Sequence, residues 1–291
     1  MSQAAKASAP RLVLAYSGDL DTAVAIPALA DAHDAEIVTL TLDLGAGRDL
    51  EEIRDRALTA GAARAHVIDA REEFVRDFVL PSLQAGALRD GRDPMPAALA
   101  RPLVARKLAE VAAIEQARDV IDRCRTDETL WGRQGGACVL TKSPEHAPDT
   151  PAYVEVVFER GVPVAVNGVP MAMTELIESL SIIAGHHGVG RIESAGSCTE
   201  APAALVLHAA HAALESAVLP ADVLRAKRER APAYAAMIAD GLWLSPARAA
   251  MDVQNAALQA DVTGAVRIKL FKGTLHTSEA AALDHSAVPR S

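Results

Sequence analysis

Aromatic side chains are scarce in this chain, with four Phe, three Tyr and two Trp among 291 residues. Its core must be filled by Ala, Val, Leu and Ile, which suits helices and parallel strands better than an all-β fold. Long apolar runs are missing too. No stretch approaches the ~18 residues of a membrane span, and residues 1–10 are Ala/Ser-rich without the apolar centre of a secretion signal. Basic excess is also missing: 29 Lys and Arg face 38 Asp and Glu, a net charge of −9, which argues against a nucleic-acid partner. The one basic run, 225–230, has Glu229 inside it and reads as a solvated helix face. Only three cysteines occur. Cys124, Cys138 and Cys198 form no CxxC pair and leave one over, as expected in a reduced, cytoplasmic compartment and not in a disulfide framework. Cys138 and Cys198 read as small buried apolar residues.

What the chain does have is room for two domains and strand-helix alternation in its first part. Residues 12–16 and 36–43 read as buried strands, with a helix of about a dozen residues between them in a parallel βαβ unit. Asp49 and Glu52 have capping-box spacing and open a helix through 60. A third strand at 65–69 and helices at 72–88 and 99–117 complete the pattern, and a fourth strand begins at 119–122. The fold class expected is α/β, a doubly wound parallel sheet with its ligand at the carboxyl ends of the strands, followed by a second α+β domain. Residues 141–151 read as a linker. A hairpin is expected at 153–158 and 162–166, helices at 174–184, 201–219, 221–240 and 246–260, a closing strand at 262–271, and a loose last fifteen residues or so. The domain boundaries expected are 1–123, 124–261 and 262–291.

The stretch RLVLAYSGDLDTA at 11–23 places Ser-Gly between a strand and a helix start, where backbone N–H groups and the helix dipole face any docking anion. It resembles the AYSGGLDTS pyrophosphate loop of the argininosuccinate synthases, an ATP pyrophosphatase (HUP-like) group. Further resemblances follow in family order: TLDLGAG, REEFVRDFVLPSLQAGAL, AALARPLVARKLAEVA, DETLWGR, YVEVVFERGVPVAVNG, GHHGVGRIE, GLWLSP and VTGAVRIKLFKG. The resemblance implies a ligase of arginine biosynthesis that joins citrulline to aspartate with ATP and Mg²⁺. It also implies a cytoplasmic protein with no membrane or nucleic-acid partner, either a homo-oligomer (the family precedent is a homotetramer) or a hetero-oligomer with a full-length synthase.

Carried over position by position, the nucleotide loop comprises Ala15, Tyr16, Ser17, Gly18, Asp19, Leu20, Asp21, Thr22 and Ala23, with Leu42 where the family has a smaller Ala at the nucleotide contact. Ser17, Gly18, Asp21 and Thr22 keep the family residue. Asp19 replaces the second glycine and either opposes a polyanion or caps the helix with its carboxylate. Ala23 loses a hydroxyl, and Pro27 either costs the helix ~3 kcal/mol or delays its start. The substrate positions fall at Asp93 (family Tyr), Ala98 (Ser), Arg125 (Ser) and Thr199 (Tyr). Nothing matches the family's HGxTGKGNDQ segment. The reading is an argininosuccinate synthase-like chain with a largely lost active site, and the alternatives are a non-catalytic assembly or regulatory paralogue and an ATP-dependent ligase for another substrate. No metal site is expected: His186 and His187 diverge on a helix, and His208, His211 and Glu215 share a face without a fourth ligand. Asp43 reads either as a ribose or Mg²⁺ neighbour or as a residue shaping the glycine turn after it.

Overall fold

The computed structural model describes residues 9–122, 126–194 and 197–282. The first elements are β1 (Arg11–Ala15), α1 (Leu20–His33), β2 (Glu36–Asp43), α2 (Leu50–Thr59) and β3 (Arg64–Asp69). A helix follows that runs as α3 (Arg71–Phe74), a π turn (Val75–Val79) and α4 (Leu80–Ala85), and then come α5 (Pro96–Glu115) and β4 (Asp119–Ile121). The strands form a parallel sheet in the order β3-β2-β1-β4. Side chains of β1 alternate between its two faces. Leu12 and Leu14 join Ile26, Leu29 and Ile53 from α1 and α2 on one side, while Val13 and Ala15 join Val104, Leu108 and Val111 of α5 on the other. This is the α/β arrangement that the strand-helix alternation predicts.

Two prolines act differently from one another. Pro27 lies inside α1, yet the helix begins at Leu20, so the delayed start is overturned. The expected helix at 72–88 is interrupted instead. Pro81 has no N–H to donate, and a proline ring within a regular α-helix would crowd the carbonyl four residues back. The π turn just before it absorbs the strain, with the Leu80 amide donating to the Val75 carbonyl five residues earlier.

The chain divides into two compact units, one of residues 1–71 and 100–126 and the other of residues 72–99 and 127–291. The second unit holds a small sheet made of β5 (Glu128–Thr129), β6 (Gly132–Gly135), β10 (Arg191–Ser194) and β11 (Ser197–Glu200), ordered β10-β11-β6-β5. Beside it is a five-stranded sheet in the order β13-β12-β7-β8-β9, of β7 (Ala152–Glu159), β8 (Val162–Val166), β9 (Val169–Pro170), β12 (Gly264–Phe271) and β13 (Thr274–Ala282). Its helices are α6 (Met173–His186), α7 (Pro202–Val218), α8 (Ala221–Ala239) and α9 (Pro246–Leu258). Strand β13 corrects the first part of the stretch expected to be loose: residues 274–282 pair antiparallel with β12, and residues 283–291 of that stretch lie outside the described residues.

Candidate functional site

At the carboxyl end of β1 the chain is tied down before it turns. The Tyr16 amide donates to the Leu40 carbonyl at 2.8 Å, and Thr41 Oγ1 donates to the Tyr16 carbonyl at 2.9 Å. Gly18 then adopts a φ of +84°, and a Cβ there would lie 2.8 Å from Ile53 Cγ1, so both conformation and space demand glycine. Ser17 is buried, with Oγ 3.3 Å from Thr22 Oγ1, and Thr22 Oγ1 donates to the Asp19 carbonyl at 2.9 Å. Asp19 occupies the N-cap position of α1 but makes no side-chain cap bond, so the capping role is overturned. The first-turn amides stay uncapped, and a helix start with uncapped amides attracts anions.

Two guanidinium groups brace this turn. Arg48 Nη1 donates to the Ser17 carbonyl at 2.9 Å and Arg56 Nη1 to the Gly18 carbonyl at 3.0 Å. They set positive charge beside the loop against the exposed Asp19 and Asp21. Neither arginine was singled out in the sequence, because no local pattern marks a residue of the next βα unit as reaching back. Leu20 is 77% exposed and Ala23 half-buried on α1. Tyr16 is buried, its hydroxyl has no hydrogen-bond partner, and burial pushes the phenol up. Leu42 is half-buried and packs on the cluster containing Val13 and Ala15, so the structure gathers Ala15 to Ala23 and Leu42 at one strand end. Asp43 takes the turn-shaping alternative: its Oδ1 accepts from the Gly45 amide at 2.9 Å, and Arg71 Nε lies 3.4 Å from Oδ2.

Three of the four substrate positions fall in the second unit. Asp93 and Thr199 belong to the second unit, as does Ala98 in the first turn of α5, and Arg125 lies outside the described residues. Asp93 is buried, with Oδ1 accepting from the Met95 amide at 2.8 Å and Oδ2 paired with Arg89. Its carboxylate is spent within its own turn. Thr199 is buried on β11 between Ile192 and Gln134.

Next to Thr199 stands a residue that the sequence left unmarked. Glu200 is fully buried and accepts from the amides of Val139, Leu140 and Thr141 at 2.7, 2.9 and 2.8 Å and from Thr141 Oγ1 at 2.7 Å. This carboxylate anchors residues 139–141, the last of which opens the stretch expected to be a linker, and the Cys138–Cys198 disulfide fastens the same place. The disulfide corrects the reading of those two cysteines as unpaired: antiparallel pairing of β11 with β6 brings positions 60 residues apart within bonding distance, which no local spacing reveals. Both sulfurs and the Glu200 carboxylate lie within 4.8 Å of one another. With the sulfurs bonded together and the carboxylate accepting five hydrogen bonds, the fifth from Arg133 Nη1 at 3.5 Å, the trio has no ligand atoms to offer a metal.

A second buried network links the helices. His208, His211, Glu215 and Lys227 are all buried, so Lys227 departs from the solvated face expected of the 225–230 run. Glu215 Oε1 accepts from Lys227 Nζ and from Gln259 Nε2, the latter at 3.2 Å, and His211 Nε2 lies 2.8 Å from Gln259 Oε1. Burial, with Lys227 close by, pushes both imidazoles down, His208 to about 3 and His211 to about 4.

Comparison with known proteins accounts for nearly the whole described chain. The model of the arginosuccinate synthase N-terminal HUP domain matches residues 11–128, and that of the C-terminal domain matches residues 132–282. The argininosuccinate synthase of Symbiobacterium thermophilum is 36% identical over 344 residues, covering 91% of this chain and 86% of the relative. That of Rubrobacter xylanophilus is 37% identical over 343 residues, covering 91% and 84%, and that of Synechococcus elongatus 36% over 345 residues, covering 91% and 86%. Among the described residues no helix is long and apolar enough to cross a membrane. Both domain models match in order and the identity extends over most of each chain, so the protein belongs to the argininosuccinate synthase family.

Proposed function

We propose that this chain is a family member that keeps an anion-binding nucleotide loop but sustains little or no ligation of citrulline to aspartate. The observation that carries the reading is Asp93. Where the family presents a tyrosine hydroxyl to citrulline, this chain has a buried carboxylate already bonded to Arg89 and the Met95 amide. Ala98 lacks the family's serine hydroxyl and Thr199 carries a short hydroxyl in place of a tyrosine's distant one, and each hydrogen bond a polar substrate loses costs about 1 to 3 kcal/mol. The length of the match agrees. An alignment of 344 positions takes in 91% of 291 residues, about 265, so roughly 80 positions of the relative face gaps in this chain.

The nucleotide end is better preserved. The helix start at Leu20, the φ of Gly18 and the flanking Arg48 and Arg56 suit a phosphate chain, and bound ATP would supply the α-phosphorus that activates a ureido or carboxyl oxygen. Among these residues, the uncapped amides would receive the polyanion while Asp19 and Asp21 oppose it. Asp43 is engaged by Gly45 and Arg71, which leaves Mg²⁺ to the phosphate oxygens. The uncapped loop favours a second reading, an ATP-dependent ligase for another substrate. A non-catalytic partner of a full-length synthase, in a homo- or hetero-oligomer in the cytoplasm, accords with the loss of the substrate groups.

Calorimetry with ATP and Mg²⁺, paired with pyrophosphate release on adding citrulline and aspartate, tests the proposal. Nucleotide binding that weakens at least tenfold in Arg48→Ala/Arg56→Ala, with no pyrophosphate above background, is the expected result. Turnover with citrulline and aspartate would overturn it. Pyrophosphate release with a different acceptor would select the second reading.

A further inference from the structure

A cavity of about 610 Å³ opens in the second unit between the turn after α4, helix α7 and helix α8. None of the positions carried over from the family lines it. Its wall on α8 is built by a stripe at four-residue spacing, Lys227, Ala231, Ala235 and Ala239, faced by Ala212 and Glu215 one turn apart on α7. The four alanines among them have side chains too short to fill the space, and the volume falls in the range of small-molecule sites.

The floor is what makes the space a site. Lys227 is 4% exposed and its ammonium carries three N–H donors, of which one is engaged, by Glu215 Oε1. Glu215, also buried, shares that oxygen with Gln259 Nε2 at 3.2 Å. The Lys227 ammonium thus lies beside a chamber whose lining is mostly apolar, the other charged groups around it being Glu215, Arg89, Asp90, Asp240 and Arg228, and a buried cation gains from each further acceptor brought to it. Arg228, held by Ser216 Oγ at 2.8 Å, adds a positive group at the side of the chamber.

From this arrangement we infer that the cavity binds a small carboxylate with an apolar body, the carboxylate accepting from Lys227 Nζ and the body lying along Ala231, Ala235 and Ala239. A carboxylate supplies charged acceptors to the ammonium, and the alanines Ala231, Ala235 and Ala239 supply apolar contact without polar groups that would need pairing. A neutral amide of the same shape offers one acceptor oxygen and two donors, and it cannot replace the anion. The inference does not rest on the nucleotide loop and stands whether or not ATP binds there.

Titration calorimetry of the full chain with 3-phenylpropanoate and with 3-phenylpropanamide tests it. The carboxylate is expected to bind saturably at one site and the amide at least tenfold more weakly. Three variants locate the site. Ala236→Trp fills the exposed wall and leaves the Lys227–Glu215 pair intact, and it should abolish binding. Lys227→Met leaves Glu215 buried without its partner and can fail to fold, so Lys227→Met/Glu215→Leu, which removes the pair together, accompanies it and should lose the preference for carboxylate over amide. Equal affinity for acid and amide, or carboxylate binding that survives Ala236→Trp in a folded protein, would overturn the inference.

Discussion

Acidification from pH 7.5 to 5 should cost this protein about 4 kcal/mol of stability through two imidazoles. His208 and His211 are fully buried on consecutive turns of α7, and burial holds them neutral with values of about 3 and 4. His208 has a buried Nε2 without a partner and packs against Trp131, with ring centroids 5.9 Å apart. The charges around them are Lys227, which disfavours a second cation, and Glu215, which favours one at His211 and only partly offsets burial. In the unfolded chain each imidazole titrates near 6.5. The unfolded state therefore binds more protons throughout the window from about 4 to 6.5, stability rises with pH across it, and the loss begins as pH falls through 6.5. At pH 5 the unfolded chain gains about 2 kcal/mol per histidine, at 1.4 kcal/mol per pH unit. Glu115, where burial would raise the carboxyl but His66 and Arg64 hold it lowered, also contributes stability that is lost on acidification, but in a lower pH window. Its share is present above the ordinary carboxylate range and is lost only below it, so it does not confuse the pH 5 comparison. Urea denaturation followed by circular dichroism at both pH values measures the sum. His208→Leu removes a buried polar atom with no partner, so it should be near neutral at pH 7.5 and remove about 2 kcal/mol of the acid loss, the rest coming from His211 and from His187, whose imidazole burial also pushes down. Imidazole resonances of His208 and His211 that titrate near 6.5 in the folded protein, or an acid loss unchanged in His208→Leu, would refute the reasoning.

Three further outcomes follow from single contacts. Gly18→Ala should cost about 1 to 3 kcal/mol in urea denaturation, since alanine at positive φ is strained and its Cβ would press on Ile53 Cγ1. Thiol titration of the denatured, unreduced protein should count one reactive cysteine, rising to three after reduction, because Cys138 and Cys198 are bonded. Cys138→Ser should lower stability by about 4 kcal/mol on the chain-entropy account of a loop this long, and unchanged stability would show the bond to be incidental. Glu200→Gln should cost about 2 to 3 kcal/mol, since one carboxylate oxygen that accepts backbone N–H groups becomes an NH₂ facing donors. Faster amide exchange at 139–141 would mark the released segment.

The parts of the fold legible in the sequence are those in which chemistry is local. Alternating apolar strands gave β1 to β3, and Asp49 announced α2 by the spacing that lets its carboxylate accept from the Glu52 amide, at 3.0 Å. Partners distant in sequence left no such trace. β5, β6, β10 and β11 are two to four residues long and owe their existence to pairing, so no window of sequence signals them. The same pairing sets Cys198 beside Cys138, and Glu200 becomes a backbone anchor only once 139–141 has been folded onto it. The nucleotide loop shows the same division. Its glycine and helix start were readable in residues 11–23, whereas its two guanidinium braces came from positions 31 and 38 residues away. In the basic run 225–230 local charge was misleading, because Lys227 and Arg228 sit on one short stretch of helix yet differ wholly in burial. α7 carries Glu215 at the one height where an ammonium from α8 can reach it. A buried charge is therefore specified by its partner's position in space, and prediction from one strand of sequence fails where a group's protonation and burial depend on a residue the sequence does not place beside it.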